Sequence, residues 1–189
     1  MFQSFRWLSL IVLKGFMLFT MGCSLAEFDY TGNREKLKDK IVDDLKYYPF
    51  TFLGHMPLEG EALDFFEKHR SRSRYFDDYI CDAFIQATKY GCVFFAIDKR
   101  DKRVKLLYVD WDDGGKVAHF FQMIDINPEL KNVFLGHQTT PLVADIKNGG
   151  DHYMKREGFK VIYFKNVALV FYWDQVLNKF VRVHSRLLL

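Results

Sequence analysis

The front of the chain carries apolar residues at helical spacing. In residues 33–49 the apolar positions recur every three or four residues, which places them on one face of a helix. They are Leu37, Ile41, Leu45 and Tyr48. Asn33 precedes them as a candidate N-cap, and Pro49 ends the pattern. The sequence therefore predicts an amphipathic helix over this segment.

Two further helices are predicted before Gly91. Residues 57–70 begin with Pro57 and carry acidic residues early and basic residues late, which complements a helix dipole. Residues 74–91 have apolar positions at helical spacing and end at Gly91, a residue type that commonly follows a helix. These positions are Phe76, Ile80, Phe84 and Ala87. The spacing favours a helix in residues 74–91, although their aromatic and β-branched content also fits a strand.

After Gly91 the pattern changes to short apolar runs separated by polar turns. The runs are CVFFAID, VKLLYVD, KVAHFFQMIDI, PLVADI, KVIYFKN, VALVFYW and KFVRVHS. The separators contain Gly, Asp and Asn, which are typical of tight turns, and short links join antiparallel neighbours. The sequence therefore predicts an α+β fold, with N-terminal amphipathic helices packed on an antiparallel sheet of about five to seven strands.

The first residues of the chain have a different character. Arg6 and Lys14 are the charged residues there, and the first carboxylate of the chain is Glu27. Residues 15–21 are uncharged and mostly apolar, a length that suits the hydrophobic region of a signal peptide but not a bilayer core roughly 30 Å thick. Gly22 and Cys23 follow directly, so export is the expected fate of the chain.

This segment resembles the bacterial lipoprotein signal, whose lipobox is cut before a Cys that is then joined to diacylglycerol. Gly22 matches the small position before the cut and Cys23 the lipidated position, whereas Thr20 and Met21 depart from the usual Leu and Ala or Ser. The resemblance implies a lipid anchor at Cys23 and, because Ser24 rather than Asp follows, sorting to the periplasmic face of the outer membrane. An uncleaved N-terminal anchor and an ordinary cleaved segment are the alternatives.

Length and composition fit one folded domain behind that signal. The 189 residues are 49% hydrophobic and 17% aromatic, which supplies a core and excludes a disordered chain. The predicted organisation is a signal peptide over residues 1–22, a lipidated tether over 23–32 and a single α+β domain over 33–189. Without Arg6 and Lys14, the 27 Lys and Arg residues become 25, against 24 Asp and Glu. This balance predicts no nucleic-acid partner.

Two cysteines remain once Cys23 carries lipid. In an oxidising compartment, Cys81 and Cys92 can form a persistent disulfide, which would contribute about 2–3 kcal/mol of stability. Two buried free thiols are the alternative, because free Cys behaves as a small apolar residue.

The acidic segment YVDWDDGGK offers several carboxylates that could bind a calcium ion. Asp110, Asp112 and Asp113 precede Gly114 and Gly115, but the alternating acids and the final Glu of an EF-hand loop are missing. A hairpin turn is the better interpretation.

The histidines show no metal or catalytic spacing. There are six, with no HExxH pair and no close His/Cys group, so neither a metal nor a cofactor is expected. They are His55, His69, His119, His137, His152 and His184. His137 and His152 lie in loop-like sequence and could converge with Asp145 or Asp151. No catalytic residue is assigned.

Binding is the leading functional hypothesis. Most of the aromatic residues are needed for the core, and those left exposed would suit a protein-binding surface. The sequence favours a lipid-anchored envelope protein with an unidentified protein partner, for example an inhibitor or immunity protein against a cell-wall hydrolase or antibacterial toxin. An envelope assembly or maintenance factor and a small hydrolase with an unrecognised site are the alternatives. A polar pocket that holds His137 or His152 with carboxylates would favour the hydrolase.

Overall fold

The structure, a computed structural model, describes residues 30–70, 76–86 and 89–186. The predicted signal peptide and the cleavage and lipidation site at Gly22 and Cys23 lie outside these residues. The chain divides into two units, Met1–Lys40 and Ile41–Leu189. Within the described residues, neither helix has the length and apolar character needed to cross a bilayer.

The described residues form two helices and twelve strands. The helices are α1 (Tyr30–Leu45) and α2 (Glu61–Arg70). The strands are β1 (Phe50–Gly54), β2 (Phe76–Asp77), β3 (Tyr79–Gln86), β4 (Lys89–Asp98), β5 (Val104–Trp111), β6 (Val117–Ile126), β7 (Val133–Gln138), β8 (Leu142–Ala144), β9 (Asp151–Tyr153), β10 (Gly158–Tyr163), β11 (Val167–Asp174) and β12 (Lys179–Arg186). Helix α1 begins before the predicted cap, so Asn33 lies inside it.

The strands form two five-stranded antiparallel sheets and one separate pair. Sheet A has the order β1-β4-β5-β6, and β3 pairs with the same strand, β4, as β1 does. Sheet B has the order β12-β11-β10-β7-β2, and β8 pairs with β9. The fold is therefore mostly antiparallel β-structure with two helices. The sequence predicted the antiparallel arrangement but neither all of the strands nor their division between two sheets.

The main core lies between the inner faces of sheets A and B. The long strands of both sheets contribute alternate residues to it, as the two-residue period of a strand requires. Sheet A supplies Val93, Phe95, Leu106 and Tyr108, and sheet B supplies Leu135, Phe159, Val161 and Phe171, among others. This core holds part of the aromatic content of the sequence.

The outer face of sheet A is covered by residues 41–48. Ile41 and Leu45 are buried there, and the Tyr48 ring stacks on Phe120 with 4.4 Å between ring centroids. The indole N–H of Trp111 donates a hydrogen bond to the Asp44 carboxylate. Because sheet A is covered on both faces, β5 is buried almost throughout its length, including the charged residues Lys105 and Asp110.

The outer face of sheet B has two separate covers. Helix α2 packs Phe65 and Phe66 against Phe134 at one end of the sheet. The β8–β9 pair packs Val143 and nearby residues against Tyr172 at the other end. The outer surface between these covers remains open.

The helix predicted over residues 74–91 is wrong. This segment contains β2 and β3 and the start of β4. Phe76, Ile80 and Phe84 are separated by four residues, and an even spacing also places side chains on one face of a strand. The prediction that the helical part of the chain extends to Gly91 is therefore wrong as well, because sheet A already begins at Phe50.

Candidate functional site

A cleft of about 550 Å³ opens on the outer face of sheet B. Its floor is formed by residues of β7, β10, β11 and β12, and the β8–β9 pair forms one wall. Ala168 also packs with the α2 cluster, whereas Val170 packs with the β8–β9 cluster. The cleft therefore lies between the two covers of the sheet.

Lys160 lies in this cleft with its side chain partly buried. On the neighbouring strand it pairs with Gly136, where a Cβ would lie 3.2 Å from both Cγ and Cε of the lysine. The missing side chain of Gly136 thus makes room for the lysine stem. Within the described residues, Lys160 has no hydrogen-bond or ion-pair partner, and burial lowers the pKa of its ammonium group. Arg186 adds a second cation and Asp151 an acid.

The rim of the cleft is apolar and exposed. Leu142 and Ile146 line the cleft with exposed fractions of 53% and 49%. Tyr153, which is 70% exposed, pairs with Leu142 across the β8–β9 ladder. Apolar contact area therefore lies beside an unpaired ammonium group.

A second polar cluster lies where β3 meets sheet B. His137, at the inner face of β7, has Nε2 2.9 Å from Asp82 Oδ2 and 3.0 Å from Glu157 Oε2. Burial raises the pKa of Asp82, but contacts with His137, Glu157 and the Ala83 N–H together hold that pKa below its usual range. Burial and the neighbouring Asp82 carboxylate raise the pKa of Glu157. The pKa of Asp82 is therefore lower than the pKa of Glu157.

Two other histidines also contact buried carboxylates. His152 Nε2 lies 3.6 Å from Asp145 Oδ2, one of the two carboxylates considered from the sequence, whereas the carboxylates at His137 are Asp82 and Glu157. The loop placement of these histidines is wrong, because His137 lies in β7 and His152 in β9. His119 Nδ1 lies 2.9 Å from Asp110 Oδ1, and the buried Tyr108 hydroxyl donates to Asp110 Oδ2.

The segment after Asp110 is the predicted hairpin turn. Asp112 accepts a hydrogen bond from the Lys116 backbone N–H at 2.8 Å, and Gly115 has a positive φ of 74°. Asp112 and Asp113 are exposed in this turn. Asp110 differs from them because it is buried beneath His119.

Cys81 and Cys92 form a disulfide. They are directly paired residues of β3 and β4, with 4.1 Å between their Cα atoms. The disulfide therefore joins two strands that are already hydrogen-bonded, next to Asp82.

Sequence reasoning missed the main residues of both sites. Lys160 stands in an apolar strand, and its alternation with Phe159 and Val161 was the available signal for an outward side chain. Asp82 and Glu157 are far from His137 in the sequence, so spacing gave no signal. The chain matches no protein-family model, no curated protein and no solved structure.

Proposed function

We propose that this protein is a lipid-anchored lipoprotein of the bacterial cell envelope that acts by binding a protein partner through the cleft on sheet B. The observation that carries the proposal is the partly buried, unpaired ammonium group of Lys160 beside the exposed Leu142, Ile146 and Tyr153. Anchoring at Cys23 and exposure to the periplasm from the outer membrane are part of this proposal.

The chemistry of the cleft defines the partner. A partly buried ammonium group without a counter-ion has lost hydration that no protein group replaces, so a carboxylate from the partner would be attracted to it. The exposed aromatic and aliphatic rim would bury apolar side chains around that ion pair, as in the centre of a protein interface. The expected partner therefore presents an acidic side chain flanked by apolar residues.

Two of the functional hypotheses drawn from the sequence are compatible with such a partner. An inhibitor or immunity protein would use the cleft to bind a cell-wall hydrolase or an antibacterial toxin, and an assembly or maintenance factor would bind a structural envelope protein. We further propose that the helices and sheets of residues 33–189 act as one α+β domain in this binding.

Affinity capture from detergent-solubilised envelopes tests the proposal. The full-length wild type is compared with Lys160→Gln and Tyr153→Ala, and with the exposed-site controls Lys99→Gln and Tyr47→Ala. We expect the cleft variants to bind the captured envelope protein at least tenfold more weakly, and the controls to bind it like the wild type. Equal loss in cleft and control variants, or loss in neither, would contradict the cleft as the binding surface.

A small hydrolase is the second candidate, favoured by His119. The buried Asp110 contacts its Nδ1, which leaves Nε2 of the half-exposed ring for proton transfer. His119→Ala should then abolish complementation of a deletion strain while Lys160→Gln does not. The binding proposal predicts the opposite pattern.

A further inference from the structure

The geometry around His137 differs from that of an ordinary histidine–carboxylate pair. Asp82 Oδ2 and Glu157 Oε2 lie 2.9 and 3.0 Å from Nε2, yet this buried nitrogen has no hydrogen-bond partner, because neither oxygen lies in line with the ring N–H. The ligand-forming atoms of all three residues lie within 4.8 Å of one another. The ring nitrogen is thus grouped with two carboxyl oxygens without a hydrogen bond to either.

These distances match donors that share one ion. With metal–ligand bonds of about 2.1 Å, two donors at the right angle of a five- or six-coordinate site are about 3.0 Å apart, and each lies about 45° off the other's bond to the ion, whereas tetrahedral donors are about 3.4 Å apart. The separations of 2.9 and 3.0 Å from Nε2 have the right-angle value. An oxygen off the ring N–H direction is a poor hydrogen-bond acceptor but has the position of a second metal ligand.

The electrostatics favour a cation at the same point. Within the described residues, no Lys or Arg forms an ion pair with Asp82 or Glu157, so the cluster brings two carboxyl groups together without a fixed positive charge. The Asp82 carboxylate is oriented by its Oδ1, which accepts a hydrogen bond from the Ala83 N–H and leaves Oδ2 toward His137. Such support of a ligating carboxylate is typical of metal sites.

The backbone holds the three residues on separate elements. Asp82 follows Cys81, which is joined to β4 by the disulfide. His137 lies on the face of β7 that points toward the core between the sheets, and Glu157 directly precedes β10. Glu157 is 48% exposed at its side chain, which gives an ion a route from solvent.

We propose that Asp82, His137 and Glu157 bind one divalent transition-metal ion of the zinc or manganese class. An imidazole donor favours these ions over Mg²⁺ and Ca²⁺, which prefer oxygen ligands alone. Three protein ligands leave coordination positions for water. This site is separate from the cleft of the proposed function and does not depend on it.

Titration of the full-length protein in detergent tests the proposal after treatment with EDTA and removal of the chelator. Calorimetry with Zn²⁺ should show one ion bound per chain. The dissociation constant should be below about 10 μM, which is tighter than adventitious binding to surface groups. Asp82→Asn, His137→Gln and Glu157→Gln should each weaken binding at least tenfold. Millimolar Mg²⁺ or Ca²⁺ should not displace the zinc.

The matched controls are His119→Gln and His152→Gln, which alter two other histidine–aspartate contacts and should leave the affinity unchanged. X-ray absorption of the zinc-loaded wild type, which needs no variant to fold, should show one nitrogen and otherwise oxygen ligands. Two or more histidine ligands, sulfur ligands, displacement by Ca²⁺, or equal effects of the control variants would overturn the proposal.

Discussion

At the residue scale, Asp98 shows how a buried carboxylate can organise a turn. Its side chain is 2% exposed and accepts hydrogen bonds from Nε and Nη2 of Arg100 at 3.0 and 2.7 Å, and from the Arg100 backbone N–H at 2.9 Å. The two-point contact between guanidinium and carboxylate is the strong form of such an ion pair. Asp98 therefore fixes the connection from β4 to β5.

This contact predicts a dependence of stability on pH. Hydrogen bonding to Arg100 lowers the pKa of Asp98 to about 2, below the value of about 3.9 in an unfolded chain. Because the folded pKa is the lower one, the contribution of the ionised Asp98 is present above about pH 4 and is lost as the pH falls toward 2. Urea unfolding between pH 6 and pH 2 should show Asp98→Asn less stable than the wild type at pH 6, with the difference shrinking toward pH 2.

The control for this measurement is Asp113→Asn, in the exposed turn between β5 and β6. Its free energy of unfolding should follow the wild type across the same range. A constant difference between Asp98→Asn and the wild type from pH 6 to pH 2 would contradict the assignment.

Gly91 gives a second prediction at this scale. A Cβ there would overlap the buried Tyr108 ring, so Gly91→Ala should lower the free energy of unfolding by about 1–3 kcal/mol through overpacking. Gly114→Ala is the control, because that position is exposed and has no positive φ. Chemical denaturation measures both variants. Equal stability of the two would show that Tyr108 moves aside without loss.

At the element scale, most strands after Gly91 were predictable because polar turns separate their apolar runs. Strands β7 and β9 were not predicted, and the residues in them, His137 and His152, were interpreted as loop residues. The strands before Gly91 were not predictable either, since Ile80 and Phe84 have a spacing that suits both a helix and a strand. The short strand β1 also lacks a long alternating pattern. The disulfide confirms the extended form of this region, because Cys81 and Cys92 face each other across β3 and β4.

The candidate sites were less predictable than the strands, for a physical reason. Asp82, His137 and Glu157 meet only because β3 of sheet A packs near β7 and the start of β10 in sheet B. Such contacts between sheets depend on the packing of the whole core. Sequence spacing shows ligands only when they belong to one element or one loop.

The disulfide provides a prediction for these elements. Replacing Cys81 and Cys92 together with Ala should lower the free energy of unfolding by about 2–3 kcal/mol, because the unfolded chain loses a closed loop. The protein is purified from an oxidising compartment, and its thiols are alkylated in denaturant. Cys81 and Cys92 should label only after reduction. Labelling of both without reductant would show that no disulfide forms there.

At the scale of the whole molecule, the two proposed sites use the same strands from opposite faces. His137 faces inward toward Asp82 and Glu157, and the next residue, Gln138, lines the cleft. Glu157 belongs to the cluster, and the following Gly158 pairs with Gln138. A metal ion would therefore fix the ends of β7 and β10 beneath the cleft. Zinc binding and partner binding should accordingly be measured together as well as separately.

The membrane anchor gives the last prediction, because it decides in which compartment every other property acts. If Cys23 carries the lipid, Cys23→Ser should leave the membrane fraction or accumulate as an uncleaved precursor, since a single residue then holds the whole domain at the bilayer. The control is Ser24→Asp, which keeps Cys23 and should remain in the membrane fraction but move from the outer to the inner membrane. Mass spectrometry of the mature N-terminus measures the modification directly. An unmodified Cys23, or a first residue other than Cys23, would contradict lipidation and leave an uncleaved anchor or an ordinary signal as the explanation of the apolar segment.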